Sequence, residues 1–435
     1  MKKVFLRGPF LTQSGYSQHA MTILRALRTV ENQIDLYVEP IRWGATSWKS
    51  EDNEERRWLD ALIQKTQQAV NGGYFQPEIA ILVTIPNEWP QQRIAPTTIG
   101  VTAGIECNRV AAEWIIAGNQ NVDKIIVPSE FSKSVYENSF YNLQHPQTGQ
   151  PIELKLTTPI EVINYPSIEP FISEDYDKES KITKLLDDIP TKFNFLCNSV
   201  WIPRKYIEMV IQGFAEEFMS EDDVGLILKT SCVNHSLIDR RQTEQRLKNI
   251  LQQYPEISSK VYLVHGDLSD SEMNVLYKHP KVKSYVSLSN ECWGLGIFEA
   301  VQSGLPVISL DFGGPLDFLY AKVLRGEKEK TKPLFSRVDY NLRPIPKESE
   351  WPGVLTPGSL WAYPTLFSYR KALRDTVKNY QFKKNMAKEL REIVLEKTKL
   401  EDINKKIVNT ILGEQFNDED DELWKEILNK VVVYD

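Results

Sequence analysis

Two acidic residues on either side of a glycine are the part of this sequence best suited to chemistry. Glu291 and Glu299 lie eight residues apart, with Gly294 between them. Along a helix, eight residues span roughly 12 Å at about 1.5 Å per residue. The two carboxyl groups of a glycosidase usually lie roughly 5 to 9.5 Å apart, so a shared acid and base role is disfavoured. Two separate contacts on one long ligand fit the spacing better.

The elements that must position these carboxylates form a strand, helix, strand unit. Residues 284–289 favour a strand, residues 294–302 have the apolar rhythm of a helix, and residues 306–310 favour a second strand. Such short connections suit a parallel right-handed crossover, in which ligands bind beyond the carboxyl ends of the strands. The unpaired N–H groups at Gly294, where the helix begins, suit a phosphate. One site could therefore hold a sugar, a diphosphate and a ribose.

This segment resembles the Glu-x7-Glu signature of retaining glycosyltransferases with the GT-B fold, in particular their family 4 group. Gly294 and Leu295 inside the motif, and residues 300–308 after it, extend the match. The resemblance implies that Glu291 contacts hydroxyls of the donor sugar. It also implies that Glu299 binds the ribose of the nucleotide.

Length and composition favour a soluble globular chain of two domains. The chain has 435 residues, which exceeds what one hydrophobic core usually supports. It has no apolar run of membrane-spanning length, and its first seven residues lack the apolar segment of a signal peptide. Four cysteines without Cys-x-x-Cys spacing argue against a disulfide framework or a zinc site. We therefore expect a cytoplasmic protein with reduced thiols.

The charge balance excludes some classes of partner and cofactor. A net charge of −7 argues against sequence-independent binding to a polyanion, because that affinity comes mainly from Lys and Arg. A phosphorylated donor needs only a few cations, so it remains compatible with this charge.

No Gly-x-Gly-x-x-Gly follows the first predicted strand, residues 4–6, which disfavours a dinucleotide oxidoreductase.

The first half of the chain offers candidates for both substrates. Residues 7–19 are predicted to form a loop before a helix over residues 20–28. The resemblance implies that a glycine of this loop approaches the donor diphosphate, with Gly15 as first candidate and Gly8 as second. The aromatic segment 42–48 either stacks on an acceptor sugar or packs into the domain.

Glu106 is an ionisable residue that follows another predicted strand. The resemblance implies a His facing the reacting carbon in this region, and no His is present. Glu106 is therefore predicted to orient the acceptor hydroxyl or accept its proton, which a carboxylate can do. A salt bridge to Arg109 or another cation is the alternative. Further on, Val127-Pro128-Ser129 resembles a family segment that starts a helix.

The segment 198–205 resembles the family's Gly-Arg-Leu-x-x-x-Lys phosphate-binding sequence. Lys205 falls on the family's lysine and is predicted to neutralise the diphosphate as it leaves. Val200 stands where the Arg is expected. Arg204 or Lys229 is therefore predicted to supply the second cation.

The resemblance also implies the remaining contacts to the donor. The loop after a predicted strand at residues 261–264 is implied to hold the nucleotide base, and Gly313-Gly314 resembles a glycine pair that faces the donor. The predicted catalytic residues are Glu106, Glu291 and Lys205. The predicted donor-binding residues are Gly15, Arg204, Lys229, His265, Gly266, Leu268, Asn290, Gly294, Leu295 and Glu299.

We therefore predict an α/β protein with the GT-B fold, in which two Rossmann-like domains face a central cleft. The expected parts are an acceptor-side domain (residues 1–172), a charged linker (173–190), a nucleotide-sugar domain (191–400) and terminal helices (401–435) that pack back on the first domain. Residues 325–364 lack clear periodicity and are expected to form a lid or a cover.

The implied reaction moves a sugar from a UDP-sugar or GDP-sugar to an acceptor hydroxyl, with retention at the anomeric carbon. No cofactor and no metal is expected. The alternative is a nucleotide-sugar-binding protein that has lost catalysis, since Val200 replaces an expected cation. The first-domain loops also look like glycosyltransferases of bacteriophages and other large DNA viruses. That likeness implies an acceptor such as a glycan or a modified base in DNA, in a host cytoplasm.

Overall fold

The computed structural model describes residues 1–73, 75–91, 93–144, 149–325 and 328–413. Within these residues the chain forms two six-stranded sheets and three antiparallel strand pairs. The strands are β1 (Lys2–Gly8), β2 (Ile34–Pro40), β3 (Ile79–Val83), β4 (Thr97–Val101), β5 (Lys124–Val127), β6 (Phe140–Gln144), β7 (Pro151–Lys155), β8 (Ile160–Val162), β9 (Phe193–Asn198), β10 (Val224–Lys229), β11 (Lys260–Val264), β12 (Val282–Ser287), β13 (Val307–Leu310), β14 (Tyr320–Arg325), β15 (Lys328–Pro333), β16 (Ser336–Val338), β17 (Tyr340–Pro344) and β18 (Leu360–Pro364).

The helices connect these strands and cover the sheets. They are α1 (Gly15–Arg28), α2 (Glu54–Asn71), α3 (Ala112–Asn121), α4 (Glu130–Glu137), α5 (Lys181–Asp188), α6 (Ile207–Glu217), α7 (Leu237–Leu251), α8 (Asp270–Lys278), α9 (Leu295–Gln302), α10 (Leu316–Leu319), α11 (Leu366–Lys378), α12 (Tyr380–Lys397) and α13 (Leu400–Leu412). Short 3-10 turns occur at Pro86–Gln91, Pro203–Lys205 and Lys347–Ser349. Among the described residues, no helix is both long and apolar enough to cross a membrane.

The order of strands shows where a ligand can bind. The first sheet has the order β2-β1-β3-β4-β5-β8, and the second has β11-β10-β9-β12-β13-β16, with all neighbouring strands parallel. The second order is that of the Rossmann fold, and it reverses between β9 and β12. Ligands of such sheets bind at this switch point, beyond the carboxyl ends of the strands. The loops after β9 and β12 are therefore the expected location of the site.

Both sheets are apolar inside because helices cover their two faces. Every residue of β3 and of β10 is buried, as expected for parallel strands covered on both faces. Ile403 and Ile407 of α13 belong to the same apolar cluster as Leu24 and Leu27 of α1. The last described helix thus packs against the first sheet. The helix predicted over residues 421–433 lies outside the described residues.

Helix α1 begins earlier than the sequence suggested. The loop predicted over residues 7–19 ends at Ser14, whose hydroxyl accepts a hydrogen bond from the Ser17 N–H at 3.1 Å and caps the helix. The loop prediction is therefore wrong from Gly15 onwards. Gly15 is the first residue of α1, on the side of the first domain that faces the second.

Two segments that were expected to be irregular contain regular structure. The predicted linker, residues 173–190, includes α5, whose Ile182 and Leu186 are buried in the core of the second domain. These two residues lie four apart on one helix face, but the surrounding charges hid the pattern. Residues 325–364 contain β16, which extends the second sheet, and the β17–β18 hairpin.

From the end of β17 into the start of β18, the chain leaves the second domain and packs on the first. Residues 345–361, here called the cover segment, place Val354 and Trp361 in one apolar cluster with Val110 and Trp114 of the first domain. Of the two alternatives for this region, the structure shows a cover. The first domain therefore completes its core with residues from the second half of the chain.

Candidate active site

The loops after β9 and β12 contact each other at the switch point of the second sheet. Arg204 lies in the short 3-10 turn after β9, and its guanidinium donates to the Asn290 carbonyl at 2.8 Å. The Asn290 N–H donates in return to the Arg204 carbonyl at 3.1 Å. These two bonds hold the predicted phosphate-binding segment beside Glu291.

Glu291 is paired with two cations. The Lys205 ammonium donates to its Oε1, and Nη1 of Arg204 lies 3.6 Å from its Oε2. Burial would raise the pKa of Glu291, but the charges and hydrogen bonds of Lys205 and Arg204 outweigh burial and lower it. Burial, and next the charge of Arg204, lower the pKa of Lys205. Glu291 is therefore ionised at neutral pH.

Arg204 also reaches the first domain. Its Nη2 lies 2.7 Å from Oε1 of Glu106, and the two side chains are only 20% and 23% exposed. The ion pair proposed as an alternative for Glu106 is thus present, with Arg204 as its partner. Arg109 instead donates to the Pro357 carbonyl. One guanidinium therefore links Glu106 of the first domain with Glu291 of the second, across the cleft.

The turn that carries Glu291 is packed tightly against Gly314. The Gly314 N–H donates to the Glu291 carbonyl at 2.9 Å. A Cβ added at Gly314 would lie 1.6 Å from the Cys292 carbonyl oxygen, so a larger residue needs the turn to move. Gly294, which caps α9, has a φ of +86°, in the left-handed region that favours glycine. Glycines therefore define the path of this turn.

The side chain of Asn290 forms hydrogen bonds inside the second domain. Its side-chain amide donates to the Ala362 carbonyl at 3.1 Å and accepts from the Ala362 N–H at 2.9 Å. The residue is fully buried. Both ends of the amide are thus bonded to β18, and a contact between Asn290 and the donor stays a prediction.

Glu299 lies on α9 and faces the cleft between the domains. The Tyr277 hydroxyl donates to its Oε2 at 2.8 Å. Burial raises the pKa of Glu299 to about 8, so the carboxyl is mostly protonated at neutral pH. A neutral carboxyl can both donate to and accept from hydroxyl groups. Glu291 precedes α9, so the two carboxylates do not lie on one helix and helical rise does not set their spacing.

Residues of both domains line the cleft around Glu299. Gly15 of α1 faces Leu295 of α9, because a Cβ added at Gly15 would lie 3.8 Å from the Leu295 Cδ1. Gly8, the last residue of β1, instead packs against α1, where an added Cβ would lie 3.0 Å from the Ala20 Cβ. Lining residues that the sequence analysis missed include Gln18, Arg25, Tyr165 and Asp270. No motif marks them, because each lies in an ordinary amphipathic helix or turn.

The loop predicted to hold the base follows β11. Leu268 lines a cavity of about 280 Å³ between the domains. Gly266 has a φ of +134° and open space beside its Cα. His265 is buried, and its Nε2 lies 2.8 Å from Oδ2 of Asp239. The ring is therefore bonded inside the domain, and a contact between the donor and the rest of His265 stays a prediction.

Lys229 is the last residue of β10, between the ends of β9 and β11. It is 7% exposed, and burial lowers its pKa to about 8, although the charge of Asp267 opposes the shift. No described residue forms a hydrogen bond or an ion pair with its ammonium. Val200, where the resemblance expects Arg, is 44% exposed.

The aromatic segment 42–48 on the first-domain side is partly packed and partly accessible. The Trp43 ring stacks on Tyr16 with 4.1 Å between their centroids. The Tyr16 hydroxyl lies 2.8 Å from Oγ1 of Thr102, at the end of β4. Trp48 is 52% exposed. The packing alternative is therefore correct for Trp43, while Trp48 is accessible to a ligand.

A second contact between the domains lies at the start of α4. The Ser129 hydroxyl donates to the Cys292 carbonyl at 2.6 Å, and the Glu130 N–H donates to Oδ2 of Asp317 at 2.7 Å. Ser129 also caps α4, which confirms the helix start predicted there. The turn beside Glu291 is thus bonded to both domains.

No protein-family model matches the chain. The chain is 26% identical over 214 residues to the α-1,3/1,6-mannosyltransferase ALG2 of Kluyveromyces lactis. This match covers 45% of the chain and 39% of that protein, so the chain spans about two fifths of the length of this curated relative.

Solved structures resemble the whole chain at low sequence identity. The Anabaena protein Alr3699/HepE, in complex with UDP and glucose, has a TM-score of 0.59 and 13% identity, over 94% of this chain and 99% of that chain. A UDP-forming trehalose-phosphate synthase from Burkholderia xenovorans has a TM-score of 0.61 and 10% identity, over the same shares. These similarities confirm the predicted fold, two α/β parallel-sheet domains of the GT-B type.

Proposed function

We propose that this chain is a retaining glycosyltransferase, which moves a sugar from a nucleoside diphosphate sugar to an acceptor hydroxyl. The observation that carries the proposal is the cluster of Glu106, Arg204, Lys205 and Glu291 at the switch point of the second sheet. The similarity to a mannosyltransferase supports sugar transfer, and the UDP complex of the Anabaena protein supports UDP as a carrier. The Glu-x7-Glu motif supports retention and a family 4-like assignment.

Lys205 and Arg204 are proposed to bind the donor diphosphate. Both cations are mostly buried, and each is paired with a carboxylate in the structure. Phosphate oxygens would replace those carboxylates as the donor binds, since charge-assisted bonds to phosphate are strong. Glu291 would then be free to accept hydrogen bonds from hydroxyls of the donor sugar.

In the proposed reaction, the bond between the anomeric carbon and the diphosphate oxygen breaks. A bond between the anomeric carbon and the acceptor oxygen forms on the same face of the sugar. The electron pair of the broken bond stays on the diphosphate, which takes the acceptor proton and leaves as the nucleoside diphosphate. Lys205 stabilises the charge that grows on this group. Glu106, which the diphosphate releases from Arg204, accepts a hydrogen bond from the acceptor hydroxyl and orients it.

We assign the nucleoside end of the site from the buried carboxyl of Glu299, and the acceptor end from the exposed ring of Trp48. The neutral carboxyl of Glu299 suits the ribose hydroxyls, because it can donate and accept. The acceptor would approach from the first domain, where Trp48 offers an exposed ring to a sugar. Since side chains of the protein supply the positive charge, the proposal includes no metal, and we expect activity to persist in EDTA.

The test is nucleotide release from a panel of UDP-sugars and GDP-sugars, with the full chain, no added acceptor and EDTA present. We expect release from one donor, and a rate at least about tenfold lower in Glu291→Gln, which weakens a contact to the reacting sugar. Glu244→Gln, on the exposed face of α7, is the matched control.

A melting shift with a donor, but no release even after glycan acceptors are added, would favour a binding protein without turnover. If no donor gives either release or a shift, the proposed function is wrong.

A further inference from the structure

Lys229 and His235 lie at the edge of the second sheet and have no role in the proposed transfer. The Ser199 N–H donates to the Lys229 carbonyl at 3.1 Å, which ties this residue to the end of β9. The Thr230 N–H donates to the Val264 carbonyl at 3.2 Å, which ties the next residue to the end of β11. Lys229 therefore lies between the phosphate-binding segment and the base loop.

His235 comes close to Lys229 and to the base loop. The His235 ring is centred 5.6 Å from the ring of His265, which directly follows β11, the strand paired with that of Lys229. Burial, and next the positive charge of Lys229, lower the pKa of His235, so the ring is neutral at pH 7. His235 Nε2 lies 3.3 Å from Oδ1 of Asp267, in the loop predicted to hold the base. In the tautomer whose Nε2 proton faces that carboxylate oxygen, Nδ1 presents a lone pair.

The two side chains offer complementary groups that the described protein leaves unpaired. The Lys229 ammonium is a donor at a position that is 7% exposed. His235 Nδ1 is a buried acceptor and has no hydrogen-bond partner among the described residues. Buried polar groups are nearly always paired, so the unpaired Nδ1, at the same edge of the sheet as the mostly buried Lys229, points to a ligand that supplies the missing partner.

The hydrogen-bonding groups of Lys229 and His235 indicate which part of the ligand they contact. A phosphate offers only acceptor oxygens, so it would satisfy Lys229 but face the lone pair of His235 Nδ1. A lactam edge, a carbonyl next to a ring N–H, satisfies both groups at once. Uracil and guanine carry this edge, whereas cytosine and adenine place an amino group beside a ring nitrogen that accepts.

We infer that Lys229 and His235 recognise the base of the donor nucleotide. Lys229 donates to a carbonyl oxygen of the base, and His235 Nδ1 accepts from the adjacent ring N–H. The inference rests on the proposed function, which requires a bound nucleotide. It adds which bases that nucleotide can carry. It moves Lys229, one of the two residues predicted to supply the second cation at the diphosphate, to the base.

The test compares the affinities of UDP, GDP, CDP and ADP for wild type, Lys229→Met and Lys205→Met by calorimetry. Wild type should bind UDP or GDP at least about tenfold more tightly than CDP and ADP, because the amino bases mismatch both groups. Lys229→Met should lose about 10- to 100-fold in affinity for the preferred nucleotide, with CDP and ADP nearly unchanged. Lys205→Met should weaken all four alike, because it is proposed to bind the diphosphate that they share.

The outcomes separate this inference from the proposed function. Equal weakening of all four nucleotides by Lys229→Met, or no preference in wild type, would overturn the base assignment and leave the transferase proposal standing. Failure of wild type to bind any nucleoside diphosphate would contradict the proposed function. If Lys229→Met unfolds, His235→Leu provides the same comparison, since it removes the acceptor, and unchanged selectivity in that variant overturns the inference.

Discussion

Arg204 of the second domain and Glu106 of the first meet across the cleft, with 2.7 Å between guanidinium Nη2 and carboxylate Oε1. The same guanidinium lies 3.6 Å from Glu291. A charge change at either carboxylate therefore alters the pairing of the other. Because Glu106 is assigned to the acceptor and Glu291 to the donor sugar, variants of the two should separate transfer from donor binding.

Glu106→Gln should spare donor binding and slow transfer. The amide keeps the shape of the side chain but loses the charge that orients the acceptor, and positioned carboxylates of this kind contribute about 10²-fold or more to rate. Donor affinity should change less than about threefold, since Arg204 keeps Glu291 as a partner. Calorimetry and product formation measure the two quantities. Glu137→Gln, on the surface of α4, is the control, and an unaltered transfer rate would leave Glu106 with only an ion-pair role.

Lys205→Met should reduce turnover by about 10²- to 10³-fold, because it removes a cation from the leaving diphosphate. It should also destabilise the fold, because Glu291 keeps only the more distant Arg204 in a buried position. The double variant Lys205→Met/Glu291→Gln should then be more stable than Lys205→Met alone. Urea unfolding measures this difference. Additive losses in the double variant would show that the two residues are not coupled.

Glu299→Gln should change how stability depends on pH. Burial raises the folded-state pKa from 4.5 to about 8, so between these values the folded chain keeps a proton that the unfolded chain has lost. The free energy of unfolding of wild type therefore falls with rising pH in this range, by at most about 1.4 kcal/mol per pH unit from this group. Glutamine does not ionise, so the variant lacks this pH-dependent contribution to the free energy of unfolding. Its stability relative to wild type should rise from about pH 5 and level off above the folded pKa.

Chemical denaturation of both proteins across that range checks the expectation. A difference in stability that stays constant with pH would show that Glu299 ionises normally in the fold. Donor affinity offers a second readout, because the amide can still donate and accept, whereas Glu299→Ala removes the contact to the ribose. The alanine variant should therefore bind the donor more weakly than the glutamine variant.

Gly314→Ala should lower the free energy of unfolding by about 3 kcal/mol or more, because its Cβ would overlap the Cys292 carbonyl and displace the turn of Glu291. Gly15→Ala is the matched comparison. Its Cβ would meet only Leu295, at 3.8 Å, and alanine favours the helix, so stability should change by less than about 1 kcal/mol. Thermal or urea unfolding compares the two variants, and similar losses in both would contradict the packing argument.

The sequence predicted what depends on local pattern. The apolar runs of β9 and β12 and the glycines around Glu291 mark strands and tight turns, because burial and left-handed backbone restrict residue type at each position. Contacts between distant residues leave no such mark. The pairing of Arg204 with Glu106 and of Asn290 with Ala362, 72 residues apart, depends on how sheets and loops pack. Helix α5 was missed because two buried residues among charges make a weak periodic signal.

The cover segment has a consequence for synthesis of the chain. One face of the first sheet is completed by Val354 and Trp361, and the other by α13, which ends at Leu412. The amino-terminal half therefore cannot bury its apolar surface while it is the only part made. Its final packing must wait until residues up to 412 have left the ribosome. The two halves of this chain thus mature together, and a fragment that stops after the first sheet should need a chaperone to remain soluble.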